Sequence, residues 1–599
     1  MVPPRTAQEW IHWLEVGEGA RGLRRIAVLA ATLALSLLLA RQQFHGPVTE
    51  ATLAQADTAR QLADGQGFTT LINYPQSAAV LQERGVRFDP ATPYPELHQA
   101  PLYSMVIAAA LKIVPAPTRA AWFSSTPVPP DGFAGDYFLL GLNLVLLWLA
   151  AWMTFDLGRR LFEPRVGWVA ALALLLSMPI WQQTVMVNGT PLLMVVILAT
   201  FRCWHRVEAE AEASEGLRGP VLALGLLGGA CGLLFLGEYS AGSLVLVALV
   251  YAALRFRARA RWVAMTAVAV GFLAVTAPWI GRNLIVAGHP VALAAQNVAL
   301  KSGDPTADPA TIRATFSAEM PEVDLRKFGN KTLTSLQENI KSRLWSGGAM
   351  WLTAFFVAGW LYAFRAPVVN RLRWVFTAAF LVALVAQAAL NSGESDRLAA
   401  VWLAPPMMIF GVGFFFVLLG SNPVLASWPR SVAAALLLLQ ALPLAHDALE
   451  PRRLHFQYPP YFPGLFQGMR QELERRGQVG KFGLMADVPA GLAWYGQTRA
   501  WAQPPRLRDF YALTLEQPIG QLLLTPRILD RPFFSELNAR PILPGNLGGV
   551  ANRFGEWGEI YAGLLTGNLP REFPLSGTQK LAENLYVLLN PALPPPRGK

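Results

Sequence analysis

The residues best suited to chemistry gather between the first two strong apolar runs of the 599-residue chain, from Arg41 to Gly135. Here 57–68 reads DTARQLADGQGF and 98–114 reads HQAPLYSMVIAAALKIV. The acids Glu50 and Asp57 share a predicted helix. Thr49 suits its N-cap, Glu50 its first turn, and Gly65 the position just past its end. Glu50, Ala54, Asp57 and Gln61 share one face, and Arg60 follows Asp57 by about one turn. Helical rise separates Glu50 from Asp57 by about 10 Å, too far to share one small ion. Solvated acids on an amphipathic surface helix suit the pattern equally well.

Other groups extend the set. Arg282 lies in APWIGRN (277–283), where a span ends. A guanidinium there either grips two phosphate oxygens or reaches up to the headgroups. Arg397 lies in NSGESDR (391–397), where it meets a phosphate or pairs with Glu394 and Asp396. His98 stands just before Pro101 and Tyr103, beside a short apolar piece. An imidazole in that place suits a metal, proton transfer or plain packing. Glu238 and Tyr239 occupy the short turn LGEYSAG. An acid at membrane depth is a functional candidate by default, but a wetted interfacial position is the preferred reading here.

A membrane-embedded frame must position these groups. The chain is 53% hydrophobic and only 15% charged, with mean hydropathy +0.34, which excludes an ordinary soluble protein of this size. The net charge of +11 does not indicate nucleic-acid binding, because arginines collect in short loops between apolar runs. Cys203 and Cys231 fall in or beside such runs and make neither a disulfide framework nor a paired-cysteine metal site. WIHWLEV (10–16) reads as an interfacial helix. Arg21, Arg24 and Arg25 then precede a run that reads as a retained anchor with a cytoplasmic N-terminus.

Apolar runs fall near 26–40, 101–114, 137–155, 166–181, 187–203, 220–236, 241–254, 262–280, 347–364, 374–390, 398–419 and 431–446. If all cross, the arginine-rich loops 158–165, 202–206, 255–261 and 364–373 face outside. Withdrawing the run at 101–114 moves all four inside. That run begins at Pro101, carries Lys112 and is about 14 residues long, whereas a span needs about 20. The expectation is a mainly α, polytopic protein with about eleven spans. Segments 42–135 and 282–346 then lie outside, the former with interfacial helices. The membrane domain is 1–447. From 448 to 599 the pattern shifts to alternating helices and short apolar strands, predicting an extracytoplasmic α/β domain. It contains no GxGxxG, P-loop, HExxH or GxSxG.

In order and topology the chain resembles the GT-C superfamily of polyprenol-phosphate-sugar-dependent glycosyltransferases, particularly family 39, with its aminoarabinose transferases and protein mannosyltransferases. The resemblance covers most of the chain and rests on ARQLADGQGF (59–68), HQAPLYSMVIAAALKI (98–113), LGRRLFEPRVGWVAALALL (157–175), APWIGRNLIVAGHP (277–290), DRLAAVWLAPP (396–406) and AGLAWYGQTRAWAQPP (490–505). It implies a GT-C fold in the cytoplasmic membrane and a polyprenyl-phosphate sugar as donor. The acceptor is a lipid, cell-envelope glycan or protein. An acid of the first outer segment serves as base, or holds a divalent metal near the phosphate. Asp57 is the first choice for that base and Glu50 the second. Arg282 and Arg397 are expected at the phosphate, with His98 and Tyr103 beside it. No metal ligands are assigned.

The chain departs from the family at several positions. Relatives often carry the key acid five or eight residues before the Ala-Arg, where this chain has Ala54 and Ala51. In VNGTPLL (187–193), Asn188 and Thr190 stand where an acid often precedes proline. His98, Gln99 and Ala100 replace a Glu-Lys-Pro approach to the interfacial helix. Either Asp57 serves through a local shift of the helix, or no metal is used, or the protein is inactive. The rival readings are a lipid-linked sugar flippase and a non-catalytic scaffold on the same architecture.

Overall fold

The computed structural model describes residues 18–44, 46–47, 49–87, 89–90, 92–124, 132–213, 219–298, 312–320, 322–343, 350–390, 401–449, 463–529, 555–582 and 584–595. The interfacial stretch 10–16 and Arg397 lie outside them.

Among the described residues, seven helices are long and apolar enough to cross a membrane: Ile26–Gln43, Ala134–Leu161, Pro220–Gly237, Ala258–Ala287, Pro367–Leu390, Val401–Ser421 and Pro429–Leu449. Two bent pairs raise the count to as many as nine. Pro164–Leu175 and Met178–Val185 meet at 55°, with Pro179 just past the break. Leu102–Ile113 and Ala116–Ser124 meet at 112°, so the chain turns sharply just after the half-length run. Pro115 sits in that break, where its ring and missing N–H end the first helix. Thr190–Ala213 carries arginines and glutamates in its second half, and Tyr239–Arg255 is a shorter apolar helix.

The four arginine-rich loops meet at one end of the bundle. Asp156 accepts from Arg159 at 2.6 Å, from Arg160 at 2.9 Å, and from Arg202. Glu208 accepts from Arg255 at 3.3 Å and Arg371 at 2.8 Å. Two acids thereby tie all four loops to one face, which is the common side that withdrawing the 101–114 run requires.

Within the bundle, Pro220–Gly237 and Ala258–Ala287 touch backbone to backbone. A Cβ added at Gly228 would stand 2.0 Å from the Val268 carbonyl oxygen, and one at Gly271 would stand 2.0 Å from that of Gly225. Small residues permit this approach where apolar burial offers no drive between helices.

The C-terminal region builds a six-stranded sheet in the order Ile72–Asn73, Ala500–Ala502, Gly483–Ala486, Ile519–Leu524, Leu585–Leu589, Gly577–Ala582. The first four strands pair parallel and the last two join antiparallel. Gly483–Ala486 and Ile519–Leu524 are buried throughout, as a parallel sheet covered on both faces demands. The first strand is contributed by segment 42–135, not by the tail. The expected α/β region is thus stitched to that segment through the backbone.

Candidate functional site

The predicted helix forms as Glu50–Ala63. Thr49 caps it, its hydroxyl accepting from the Thr52 amide at 3.2 Å, and Gly65 follows with φ +83°. Its two sides do different work. Thr49, Ala51, Thr52 and Gln55 line a cavity of about 370 Å³. Asp57 lies on the far side, fully buried. Its Oδ1 accepts from Arg60 Nη2 at 2.7 Å; its Oδ2 accepts from the Leu71 amide at 2.8 Å and the Thr70 hydroxyl at 3.0 Å. Burial pushes this carboxyl above the usual range, against the opposing pull of Arg60 and these hydrogen bonds. Arg60 in turn donates to the carbonyls of Trp494 at 2.9 Å and Ala493 at 2.7 Å. Its guanidinium lies 5.0 Å from the Phe123 ring centre. Glu50 shares the Asp57 face at the first turn and is half-buried. Of the two positions where relatives carry an acid, Ala51 lines the cavity and Ala54 is fully buried.

Arg282 fastens segment 42–135 to the bundle. It donates to the Glu96 carbonyl at 2.8 Å and the Phe68 carbonyl at 3.4 Å, with its guanidinium 4.9 Å from the Trp279 ring centre. It does not line the cavity. Tyr103 is buried beneath the cavity wall. Its hydroxyl lies 3.0 Å from Asn143 Oδ1 and donates to the Val187 carbonyl at 2.9 Å. Val187 holds φ +58°, a strained conformation for a β-branched residue. The next residue, Asn188, lines the cavity and receives the Thr190 amide on its Oδ1 at 3.0 Å. The turn where relatives often carry an acid thus supplies an amide to the same cavity.

The remaining wall comes from several further elements, among them the end of Pro367–Leu390. His98 and Gln99 precede the re-entrant pair, Glu238 and Tyr239 end a span, Asn297 follows another, and Arg313 comes from segment 282–346. Glu238 accepts from the Ser240 hydroxyl at 2.8 Å. The His98 ring packs edge-on to Tyr74 at 4.9 Å, its Nε2 lies 3.0 Å from Ser77 Oγ, and its backbone amide donates to Glu96 at 2.7 Å. Burial, reinforced by Arg313, holds the imidazole well below its ordinary pKa, hence neutral. His98 Nδ1, Gln99 Oε1 and Asn297 Oδ1 are all buried without a hydrogen-bond partner among the described residues. All three belong to residues that line the cavity, and unpaired buried polar atoms are the exception in folded proteins.

Arg313, Asn297 and Lys331 carry no sequence motif, and only their location in a long segment between spans could have singled them out. Lys331 is buried behind the wall, donating to the carbonyls of Asn297 and Ala389, and burial pulls its ammonium down to about 8. The cavity wall offers one carboxylate, one imidazole and a guanidinium. Among the described residues no three His, Cys, Asp or Glu side chains converge.

The membrane bundle, the re-entrant pair after its first span and the mixed sheet at its C-terminal end together define the GT-C fold. ArnT from Cupriavidus metallidurans bound to undecaprenyl phosphate is similar over 96% of this chain and 99% of its own, with TM-score 0.50 and 11% identity. The Archaeoglobus fulgidus oligosaccharyltransferase in complex with Zn and sulfate is similar over 82% of this chain and 67% of its own, with TM-score 0.50 and 10% identity. No family model and no curated protein matches the chain. These likenesses establish the fold of a multi-pass membrane protein and assign no family within it.

Proposed function

We propose that this protein is a glycosyltransferase of the cytoplasmic membrane, moving a sugar from a polyprenyl-phosphate donor to a lipid, cell-envelope glycan or protein acceptor. One observation carries the reading: the polar cavity lies at the bundle end opposite the arginine-rich loops. By the positive-inside rule that end, and the sheet beside it, face outward. A lipid-linked donor held between the spans would present its sugar-phosphate there. Arg313 is the cation on the wall, and a guanidinium at that place stabilises charge growing on the departing phosphate. In this assignment Arg282 and Tyr103 shape the cavity rather than touch the donor, and Asp57 holds the lining helix from behind. The test is binding of undecaprenyl phosphate to the purified protein in nanodiscs, followed by transfer from labelled undecaprenyl-phosphate sugars. Transport of the lipid-linked sugar in proteoliposomes without transfer would favour a flippase. Binding without transfer or transport would favour a scaffold.

A further inference from the structure

The cavity lacks a carboxylate at the helix positions where a base would be sought, yet one side chain on its wall has the geometry of a base. His98 is 4% exposed and lines the cavity. One ring nitrogen, Nε2, is engaged by Ser77 at 3.0 Å, while the other, Nδ1, is buried and unpartnered among the described residues. We propose that His98 Nδ1 is the general base that accepts the proton of the acceptor hydroxyl, with Ser77 as the positioning residue that sets the tautomer. This rests on the glycosyltransferase reading above.

The tautomer required carries its proton on Nε2, donated to Ser77 Oγ, which leaves the Nδ1 lone pair unengaged. The ring is held by Ser77 and the edge-on Tyr74, and its backbone is anchored by the amide bound to Glu96. A base so held loses little entropy when the acceptor arrives. The charged groups around it are Glu96 beneath, and Arg313 and Glu238 along the cavity wall. Burial together with Arg313 keeps the ring unprotonated at neutral pH, so the base form is the resting form. In the step itself, the acceptor oxygen bonds to the anomeric carbon as its O–H bond breaks toward Nδ1. The bond from that carbon to the phosphate oxygen breaks, and its electron pair departs with the polyprenyl phosphate. The proton on Nδ1 is lost to water once product leaves.

The test uses the full chain in nanodiscs, with two readouts. The first is carbethoxylation by diethyl pyrocarbonate, located by mass spectrometry, with undecaprenyl phosphate as the protecting lipid. His98 should react, its rate should report its own titration, and the lipid should block it. The second is transfer from undecaprenyl-phosphate-linked glucose, mannose and aminoarabinose to a membrane extract. His98→Gln should lower kcat by about 100-fold or more, leave the donor KM nearly unchanged, and remove the acidic limb of the pH profile. Ser77→Ala should lower kcat about tenfold and shift that limb, with Ser77→Thr restoring both.

A His98→Gln protein that transfers at the wild-type rate overturns the proposal. So does a raised KM with unchanged kcat, which would make His98 a phosphate contact, or a His98 that neither reacts nor is protected. Wild-type protein that binds no undecaprenyl phosphate and transfers none of the three sugars overturns the underlying reading instead.

Discussion

Arg60 and Asp57 meet at 2.7 Å, three residues apart on one helix and both sealed from water. The pair does not face the cavity; it faces the tail. Arg60 binds the carbonyls that end the short helix Pro489–Trp494. From the other side Asp136, in the first turn of Ala134–Leu161, accepts from the Trp494 indole at 2.9 Å and the Tyr495 hydroxyl at 2.8 Å. One helix of segment 42–135 thus lines the cavity in front while the C-terminal region braces it behind.

Removing one partner of that pair strands the other without compensation. Asp57→Asn should cost about 3–5 kcal/mol, read as a lower thermal unfolding midpoint in detergent. Asp57→Asn combined with Arg60→Gln should recover part of the loss. An Asp57→Asn protein with wild-type stability and donor binding but no transfer would make Asp57 the base instead.

Tyr103 anchors the Val187 carbonyl and so the turn that presents Asn188. Tyr103→Phe should cost about 1–3 kcal/mol by leaving buried acceptors unpaired. It should also weaken undecaprenyl phosphate binding, measured on the same preparation, because Asn188 is freed to shift. Unchanged stability would mean the turn is held by Asn143 alone, whose amide reaches the Asn188 carbonyl at 3.0 Å.

The crossing at Gly228 and Gly271 leaves no room for a side chain. Gly271→Leu should abolish the monodisperse folded peak in size-exclusion chromatography, since overpacking against backbone cannot be relieved by a rotamer change. Gly281→Ala, with nothing within 4 Å of the added carbon, should leave that peak intact.

His98 predicts a pH dependence of stability. Its folded pKa lies well below 6.5, so below pH 6.5 the unfolded chain binds a proton that the folded protein refuses. Stability should therefore fall as pH drops through and below 6.5, by at most about 1.4 kcal/mol per pH unit from this group. His98→Gln should flatten that limb in urea melts recorded at several pH values.

Arg313, on the cavity wall, and Arg282, outside it, should separate by assay. Arg313→Ala should weaken undecaprenyl phosphate binding by about 10- to 100-fold, the worth of a charge-assisted hydrogen bond. Arg282→Ala should chiefly lower stability, because its bonds run to the Glu96 and Phe68 carbonyls.

Much of the frame was legible in the sequence. Apolar runs report burial locally, and the loop arginines report sidedness. Together they withdrew the run at 101–114, which folds as a 12-residue helix with the next one set at 112° to it. The helix from Glu50 was equally readable, because its cap and terminal glycine are local signals. Which side of that helix meets the cavity was not. The helix is buried on nearly all sides, so periodicity does not rank its faces. Its rotation is set by Thr70, Leu71, Ala493 and Trp494, the last two more than 430 residues away in sequence. The same holds for the sheet, whose edge strand Ile72–Asn73 is too short to read and exists only because Ala500–Ala502 lies beside it. It holds for Arg313 and Asn297, which join the cavity only through folding of a segment without motif. By itself the sequence determined the membrane frame and the helix that carries the acids, since those depend on local hydrophobicity and capping. Only the tertiary structure decided that Asp57 turns to Arg60 and away from the cavity that His98 lines, because long-range hydrogen bonds choose which buried polar group is satisfied.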